Sequence, residues 1–321
     1  MKTDYRAILI ALVLLFVVRW ANASLVYSGS TPVSVPNSSL THVYGINNSG
    51  QYVGVYQGTG GTRGFYFDGS AFQDVRYPGA SGVTMVWGLN NSGAIVGSYS
   101  DASGSHAFWR SATGQYNKII TPSTNFSVAY GINDQGDIVG DFSMGGAADG
   151  FLYRGGQIQV FDFGTSFTQL NDIGNNGLIV GNYGYEGFVL NPDTGERSNF
   201  TVNQYQTIAR SVNSAGDLVG SFFAGGRTQS YVRHQDGSIE VFPFPTAYDM
   251  GAMGVNDSGD IVGISGSSAF LIRGAVPPPV VQNVSEPESL ALMLVGLSML
   301  GLSVRRKNIQ SGGRHRSTAL A

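Results

Sequence analysis

Gly45-Ile46-Asn47-Asn48-Ser49-Gly50-Gln51-Tyr52-Val53-Gly54 returns, with small changes, five more times along this 321-residue chain. The second copy starts at Gly88 (Gly-Leu-Asn-Asn-Ser-Gly-Ala-Ile-Val-Gly) and the third at Gly131 (Gly-Ile-Asn-Asp-Gln-Gly-Asp-Ile-Val-Gly). A fourth, weaker copy starts at Asp172 and carries Gly174 where the others carry Asn; the fifth starts at Ser211 and the sixth at Gly254. The offsets are 43, 43, 41, 39 and 43 residues. A near-constant period of this size is the mark of a stacked or ring-shaped repeat.

Each copy reads as a β-hairpin. An alternating apolar run enters, such as His42 to Ile46. Asn, Asp or Ser followed by Gly makes the turn, because these residues tolerate the left-handed conformation it needs. A β-branched run leaves, such as Asp137-Ile138-Val139-Gly140, whose closing Gly permits a bulge or a close backbone approach. A third strand follows in every copy, as in Gly64-Phe65-Tyr66-Phe67 and Ala269-Phe270-Leu271-Ile272. A fourth completes the unit, as in Ile158-Gln159-Val160-Phe161. Four short strands per repeat of about 43 residues is the period of a β-propeller blade. No helix signal occurs between Ser24 and Gly274. The expectation is an all-β, six-bladed β-propeller over 24–274.

The ends bear on closure. The last unit stops after its third strand, at Arg273, and the chain near its start holds an orphan fourth-strand segment, Pro32 to Pro36. That segment can complete the sixth blade and remove an exposed strand edge. Leu25-Val26-Tyr27 resembles a third strand, so the closing blade stays open at this point. An open β-solenoid is the alternative, but it needs no orphan strand.

Composition agrees with many tight turns and aromatic-lined strands: 46 glycines, 16 tyrosines, 18 phenylalanines and no cysteine. The missing thiols exclude disulfides, thiolate metal sites and cysteine nucleophiles. Between Ser24 and Gly274 there are eighteen acidic and ten basic residues, with Lys118 the single lysine. A mildly acidic body argues against nucleic acid, which is bound through clustered Lys and Arg.

The termini carry the basic excess. Lys2 and Arg6 precede an apolar run from Ala7 to Val18, and Ala21-Asn22-Ala23 fits the small-x-small cleavage pattern. Residues 1–23 therefore read as a secretory signal peptide, with an uncleaved anchor as the alternative. At the other end, a proline-bearing linker over 275–284 includes Pro277-Pro278-Pro279, a composition that favours a stiff, extended spacer. Ser285-Glu286-Pro287 then leads into sixteen uncharged residues, Ser289 to Val304, and a basic stop, Arg305-Arg306-Lys307. A helix over 289–304 would rise ~24 Å, short of the ~30 Å hydrocarbon core. Such a span suits a transient stop better than a permanent anchor, although a plain C-terminal anchor is the simpler alternative. The basic cluster and the 308–321 tail belong on the cytoplasmic side by the positive-inside rule.

The repeats resemble the HAF repeats of bacterial extracellular proteins, named for a His-Ala-Phe on the third strand. His106-Ala107-Phe108 is the literal match, and the turn with its Ile-Val-Gly strand matches more widely. The resemblance covers about Leu25 to Arg273 and implies a propeller-like secreted module with no agreed activity. The tail, 285–307, resembles the PEP-CTERM sorting signal of Gram-negative bacteria, with Ser285 in place of the first Pro and fourteen residues after Lys307. This resemblance implies recognition and cleavage near Pro287 by exosortase, a membrane-embedded cysteine protease. It also implies an inner-membrane intermediate, then a cell-surface or extracellular product associated with exopolysaccharide, biofilm or floc matrices.

Catalytic signals are scarce. Asp134, Asp137, Asp217, Asp257 and Asp260 recur at the repeat turns. Gathered on one face they would suit calcium or acid–base work on sugars, whereas the plainer reading is that Asp and Asn brace the turns. His42, His106 and His234 are not at metal-ligand spacing from one another, and His106 reads as structural. Tyr56, Tyr99, Phe142, Tyr183 and Phe222 recur after the second strand, where they either fill the gaps between blades or stack on sugar rings. No catalytic set is recognisable and no cofactor is required. The expectation is a non-enzymatic binding or structural role in an exopolysaccharide matrix. The alternatives are a carbohydrate-active hydrolase or lyase and a protein–protein platform.

Overall fold

The computed structural model describes residues 30–164, 166–242 and 250–274. The signal peptide, the linker over 275–284, the sorting motif Ser285-Glu286-Pro287, the span 289–304 and the 308–321 tail lie outside the described residues. Within them the chain is a six-bladed β-propeller of four-stranded antiparallel blades, with no helix. Blade 1 consists of β2 (Leu40–Ile46), β3 (Tyr52–Gly58), β4 (Gly61–Phe67) and β5 (Phe72–Val75). Blades 2 to 5 repeat that order over 84–118, 127–161, 168–200 and 207–242.

Blade 6 is closed by both ends of the propeller. Its strands β22 (Met250–Val255), β23 (Ile261–Ser265) and β24 (Ser268–Ile272) are completed by β1 (Thr31–Val33). Thr31, Pro32 and Val33 pair with Leu271, Phe270 and Ala269. The closing strand is shorter than the 32–36 read from sequence. Val35 turns its N–H away from the sheet to Thr41 Oγ1 at 3.0 Å, and the turn continues through Asn37 at φ 61°. The same junction joins other blades: Tyr77 N donates to Thr84 Oγ1 (3.1 Å), Phe163 N to Thr168 Oγ1 (3.2 Å) and Val202 N to Thr207 Oγ1 (2.9 Å). The orphan segment thus enters blade 1 as the fourth strands of blades 1, 3 and 4 enter their successors.

The glycine that ends the Ile-Val-Gly run is set by two neighbours at once. A Cβ at Gly140 would overlap the Val128 carbonyl oxygen of the inner strand and lie 2.8 Å from the Phe151 ring. Gly97, Gly181, Gly220 and Gly263 meet the same obstruction from Met85, Gln169, Ile208 and Gly251 on the inner strand and from an aromatic ring of the third. That third-strand ring is the bulk of each blade: Phe65, Phe108, Phe151, Phe188, Tyr231 and Phe270 are all buried.

The cores lie between blades. Six buried clusters each draw on two neighbouring blades, including one that joins Val33 and Val35 to Val43, Phe65 and Leu271 across the closure. Of the recurring second-strand aromatics, Tyr99, Phe142 and Phe222 belong to these clusters and Tyr56 and Tyr183 pack against them. Tyr99 stacks on Tyr77 at 3.7 Å.

A charge on the closing strand should open the ring. Val33→Asp is expected to lower the melting temperature by roughly 10 °C, since it buries an unpaired carboxylate. Ser34→Asp, at an exposed neighbouring position, should leave it nearly unchanged. Thermal melts of the two variants followed by circular dichroism test this.

Candidate functional site

All six inner strands carry the same irregularity. The ladder between first and second strands slips by one residue at Val43/Gly45, Val86/Gly88, Ala129/Gly131, Leu170/Asp172, Ala209/Ser211 and Ala252/Gly254. The extra residue of a bulge is free of the pairing and re-aimed. Here the six are Tyr44, Trp87, Tyr130, Asn171, Arg210 and Met253, and all line one central cavity of about 100 Å³ that opens at the end carrying the Asn-Gly turns. Tyr44 lies 4.3 Å from Trp87, which meets Tyr130 edge-on at 5.4 Å, so blades 1 to 3 supply a continuous aromatic arc.

The next residue on each inner strand is Gly in blades 1, 2, 3 and 6. A Cβ at Gly88 would overlap the Tyr130 carbonyl oxygen, and one at Gly131 would lie 2.6 Å from Asp172 Cα, so glycine lets the strands crowd the axis. Blades 4 and 5 differ, with Asp172 and Ser211. Ser211 Oγ donates to Asp172 Oδ2 (2.7 Å), which also accepts from Val212 N (3.1 Å), while Oδ1 accepts from Ile173 N (2.9 Å). Burial pushes this carboxyl up to about 6 despite those donors.

The mouth is rimmed by the turns. Asn47 Nδ2 donates to the Asn90 carbonyl (3.1 Å), Asn90 to Asn133 (3.0 Å) and Asn256 to Asn47 (3.0 Å), each amide crossing to the next blade. Asn133 instead turns its Nδ2 to Asp137 Oδ2 of its own hairpin (3.4 Å). In blade 4, where Gly174 replaces the Asn, Asn176 Nδ2 reaches across to the Ser214 carbonyl at 3.2 Å, its Oδ1 lying 2.8 Å from where a Gly174 Cβ would be. A second circuit lies outside it. Asn91 N and Nδ2 donate to the Asp134 carboxylate (2.8 and 2.7 Å), as does Asn175 Nδ2 (2.8 Å). Ser214 N and Oγ (2.7 and 2.8 Å) and Asn48 Nδ2 (2.7 Å) donate to Asp257.

The remaining turn acids do not reach the cavity. Asp137, Asp217 and Asp260 pair with basic residues at the end of the third strand or just beyond it: Arg154 at 3.0 Å, His234 at 3.2 Å and Arg273 at 2.6 Å. The repeated aspartates therefore divide into two rim residues and three braces. Among the described residues, no group of three His, Asp or Glu side chains is placed to hold a metal ion. His106 is buried against Ser103 (2.7 Å) and Asp101 (3.1 Å), and His42 bonds the Gly266 carbonyl at 2.9 Å. Neither enters the cavity.

The bulge residues had escaped the sequence reading, because each stands one place ahead of the repeated motif. Their signal is a variable residue preceding an otherwise repeated run. Nor did the sequence mark Asp141, a buried second-strand carboxylate whose Oδ2 accepts from Gln169 Nε2 at 3.2 Å and whose Oδ1 has no partner. Burial pushes it up to about 7, against the opposing pull of Gln169 and Tyr130.

No family model matches the sequence, and no curated protein matches it. Among solved structures, the chain is similar to a streptogramin B lyase, at 12% identity and a TM-score of 0.51 over 76% of this chain and 96% of that one. It is likewise similar to a putative TolB from Agrobacterium tumefaciens, at 13% identity and 0.51 over 73% and 90%. At such identities the likeness concerns the propeller fold alone.

The Asp141 shift makes a pH prediction. Its folded pKa stands above the ordinary carboxyl value of ~3.9, so its contribution to stability is complete below pH ~4 and is lost as pH rises through about 7. Asp141→Asn should therefore stabilise the fold at pH 8 by on the order of 2–4 kcal/mol and change little at pH 4. Urea unfolding at the two pH values checks the difference.

Proposed function

We propose that this chain is an exported propeller that binds extracellular polysaccharide without transforming it. The observation that carries the reading is the asymmetry of the channel floor. Tyr44, Trp87 and Tyr130 form an aromatic arc on one half, opposite Asn171, Arg210 and Met253, in a scaffold otherwise repeated six times. Aromatic faces beside amide and hydroxyl groups suit hydroxylated rings. The rim offers Asn48, Asn91, Asn175 and Ser214 around that floor. The rim acids Asp134 and Asp257 each accept three hydrogen bonds that tie adjacent blades, an arrangement suited to bracing more than to proton transfer.

Delivery rests on the termini. The signal-like residues around Ala21 and Ala23, the Ser285-Glu286-Pro287 motif and the Arg305-Arg306-Lys307 stop support export, membrane retention through 289–304, processing by exosortase and release to the surface or matrix.

A second reading has one specific observation in its favour. Asp134, Asp172 and Asp257 line the same cavity as Arg210, and Asp172 carries a carboxyl raised towards neutrality. Acids and an arginine around one cavity are also the equipment of a polysaccharide hydrolase or lyase.

A glycan array with the purified full-length chain, run beside an assay for new reducing ends, separates the two. Binding without new ends is expected; new ends that vanish in Asp172→Asn would replace the binding reading with the enzymatic one. For delivery, Glu286→Ala is expected to leave the full-length form in the membrane. Normal release of that variant would sink the exosortase assignment.

A further inference from the structure

Two of the six bulge residues on the channel floor, Arg210 and Trp87, carry a buried donor without a partner among the described residues. Asn171, the neighbour of Arg210 in the ring, is satisfied, donating from Nδ2 to Asn182 Oδ1 (2.8 Å) and to the Ala209 carbonyl (2.7 Å). Among the described residues, no acceptor takes a hydrogen bond from the Arg210 guanidinium and no carboxylate forms an ion pair with it. Its Nε is fully buried and unpaired. Burial pulls its pKa below the ordinary value, and the nearby groups that support the charge are the hydroxyls of Tyr44, Tyr130 and Tyr231.

A second unpartnered donor lies in the same cavity. Trp87 Nε1 is buried without an acceptor. Trp87 belongs to blade 2 and Arg210 to blade 5, three blades apart and so on opposite sides of a six-bladed ring. Two buried donors, one of them charged, with no acceptor between them is a costly arrangement unless something enters to accept. Water can satisfy the hydrogen bonds but leaves the charge uncompensated.

We infer that the channel is a binding site for a monoanionic, carboxylate-bearing sugar, a uronate unit, with its carboxylate on Arg210 and Trp87 Nε1 and its ring against the Tyr44–Trp87 arc. The inference rests on the polysaccharide reading above and specifies which sugar the site takes. Guanidinium suits a planar carboxylate, which it can hold through two parallel hydrogen bonds. The rim limits the charge of the guest, because Asp134 and Asp257 stand three blades apart at the mouth and disfavour phosphate or sulfate dianions. About 100 Å³ is room for several waters, which suits the carboxylate end of the sugar with the rest of the ring standing in the open mouth.

The test is calorimetric titration of the full-length chain with sodium glucuronate, glucose and inorganic phosphate, with tryptophan emission followed in parallel. Glucuronate is expected to bind at least tenfold more tightly than glucose or phosphate and to change the emission. Arg210→Met should lose at least tenfold in glucuronate affinity while melting no lower than the wild type in the absence of ligand, because it removes an unpaired buried charge. Equal glucuronate binding by Arg210→Met, or equal binding of glucose and glucuronate by the wild type, overturns the site. Trp87→Phe covers the case in which Arg210→Met fails to fold. It should abolish the emission change, and a change that persists from the remaining tryptophans places the ligand elsewhere and overturns the site. An acidic polymer, polyglucuronate, separates this inference from its premise. Polymer binding that is equal in wild type and Arg210→Met keeps the polysaccharide reading and removes the site. Binding of the monomer without the polymer keeps the site and removes the polysaccharide reading.

Discussion

The closest approach in each blade, between the inner-strand backbone and the glycine of the second strand, governs the others. With no Cβ at Gly140, the Val128 carbonyl presses onto the second strand and the Phe151 ring closes over the same glycine. The inner strand keeps its pairing up to this contact, Ala129 facing Gly140. It slips immediately afterwards, between Ala129 and Gly131, and the displaced Tyr130 is re-aimed into the channel. The close contact at the heart of the blade and the bulge that aims a residue into the channel thus sit side by side in every blade. Repeating the pair six times gives the propeller six axis-lining positions whose side chains are unconstrained by the fold.

The turns add a different kind of order. A turn asparagine such as Asn90 receives the backbone N–H of Ala94 at Oδ1 (3.0 Å) and sends its Nδ2 to the next blade (3.0 Å). One side chain thus closes its own hairpin and fastens it to its neighbour. A few backbone bonds link neighbouring blades, such as Thr41 N to the Ser267 carbonyl (2.9 Å) and Thr207 N to the Tyr185 carbonyl (3.0 Å), while the buried clusters between blades are apolar. The amide circuit supplies direction and register where hydrophobic packing alone would allow sliding. Where the pattern fails, at Gly174, Asn176 restores the link from two residues further along.

Much of this was legible before any coordinates. The period gave six units of four strands, the Asn-Gly turns gave the hairpins, and the orphan segment near Pro32 gave the closing strand. The Ile-Val-Gly glycine reads from sequence as a bulge or a close approach, and the inner-strand carbonyl beside it shows the close approach. The closing strand ends at Val33 and not at Pro36, since the bond from Val35 N to Thr41 is a tertiary one between segments that periodicity treats as separate. The floor residues Trp87 and Arg210 were invisible for a related reason. A bulge is defined by pairing with a partner strand, and a single-strand pattern counts its extra residue as one more alternating position. The sequence names both roles for the turn acids, bracing and a shared face, but cannot assign them residue by residue. Asp134 and Asp137 are near neighbours in sequence but face different partners, one across the rim to Asn91 and the other to Arg154.

The pairing of β1 with β24 also governs time. Thr31 meets Leu271 across nearly the whole described chain, so the seam is the most non-local contact of the propeller and the last that can form during synthesis. Blades 1 to 5 can assemble in order as they emerge, each lending a face to its successor. Blade 6 must wait for its own three strands and still needs a strand delivered at the very beginning. Until then the chain carries two unpaired edges, the feature that slows non-local β folds and exposes them to wrong partners. Sealing is thus a late event that joins the two ends of an already stacked set of blades, and the integrity of the whole ring hangs on a three-residue strand.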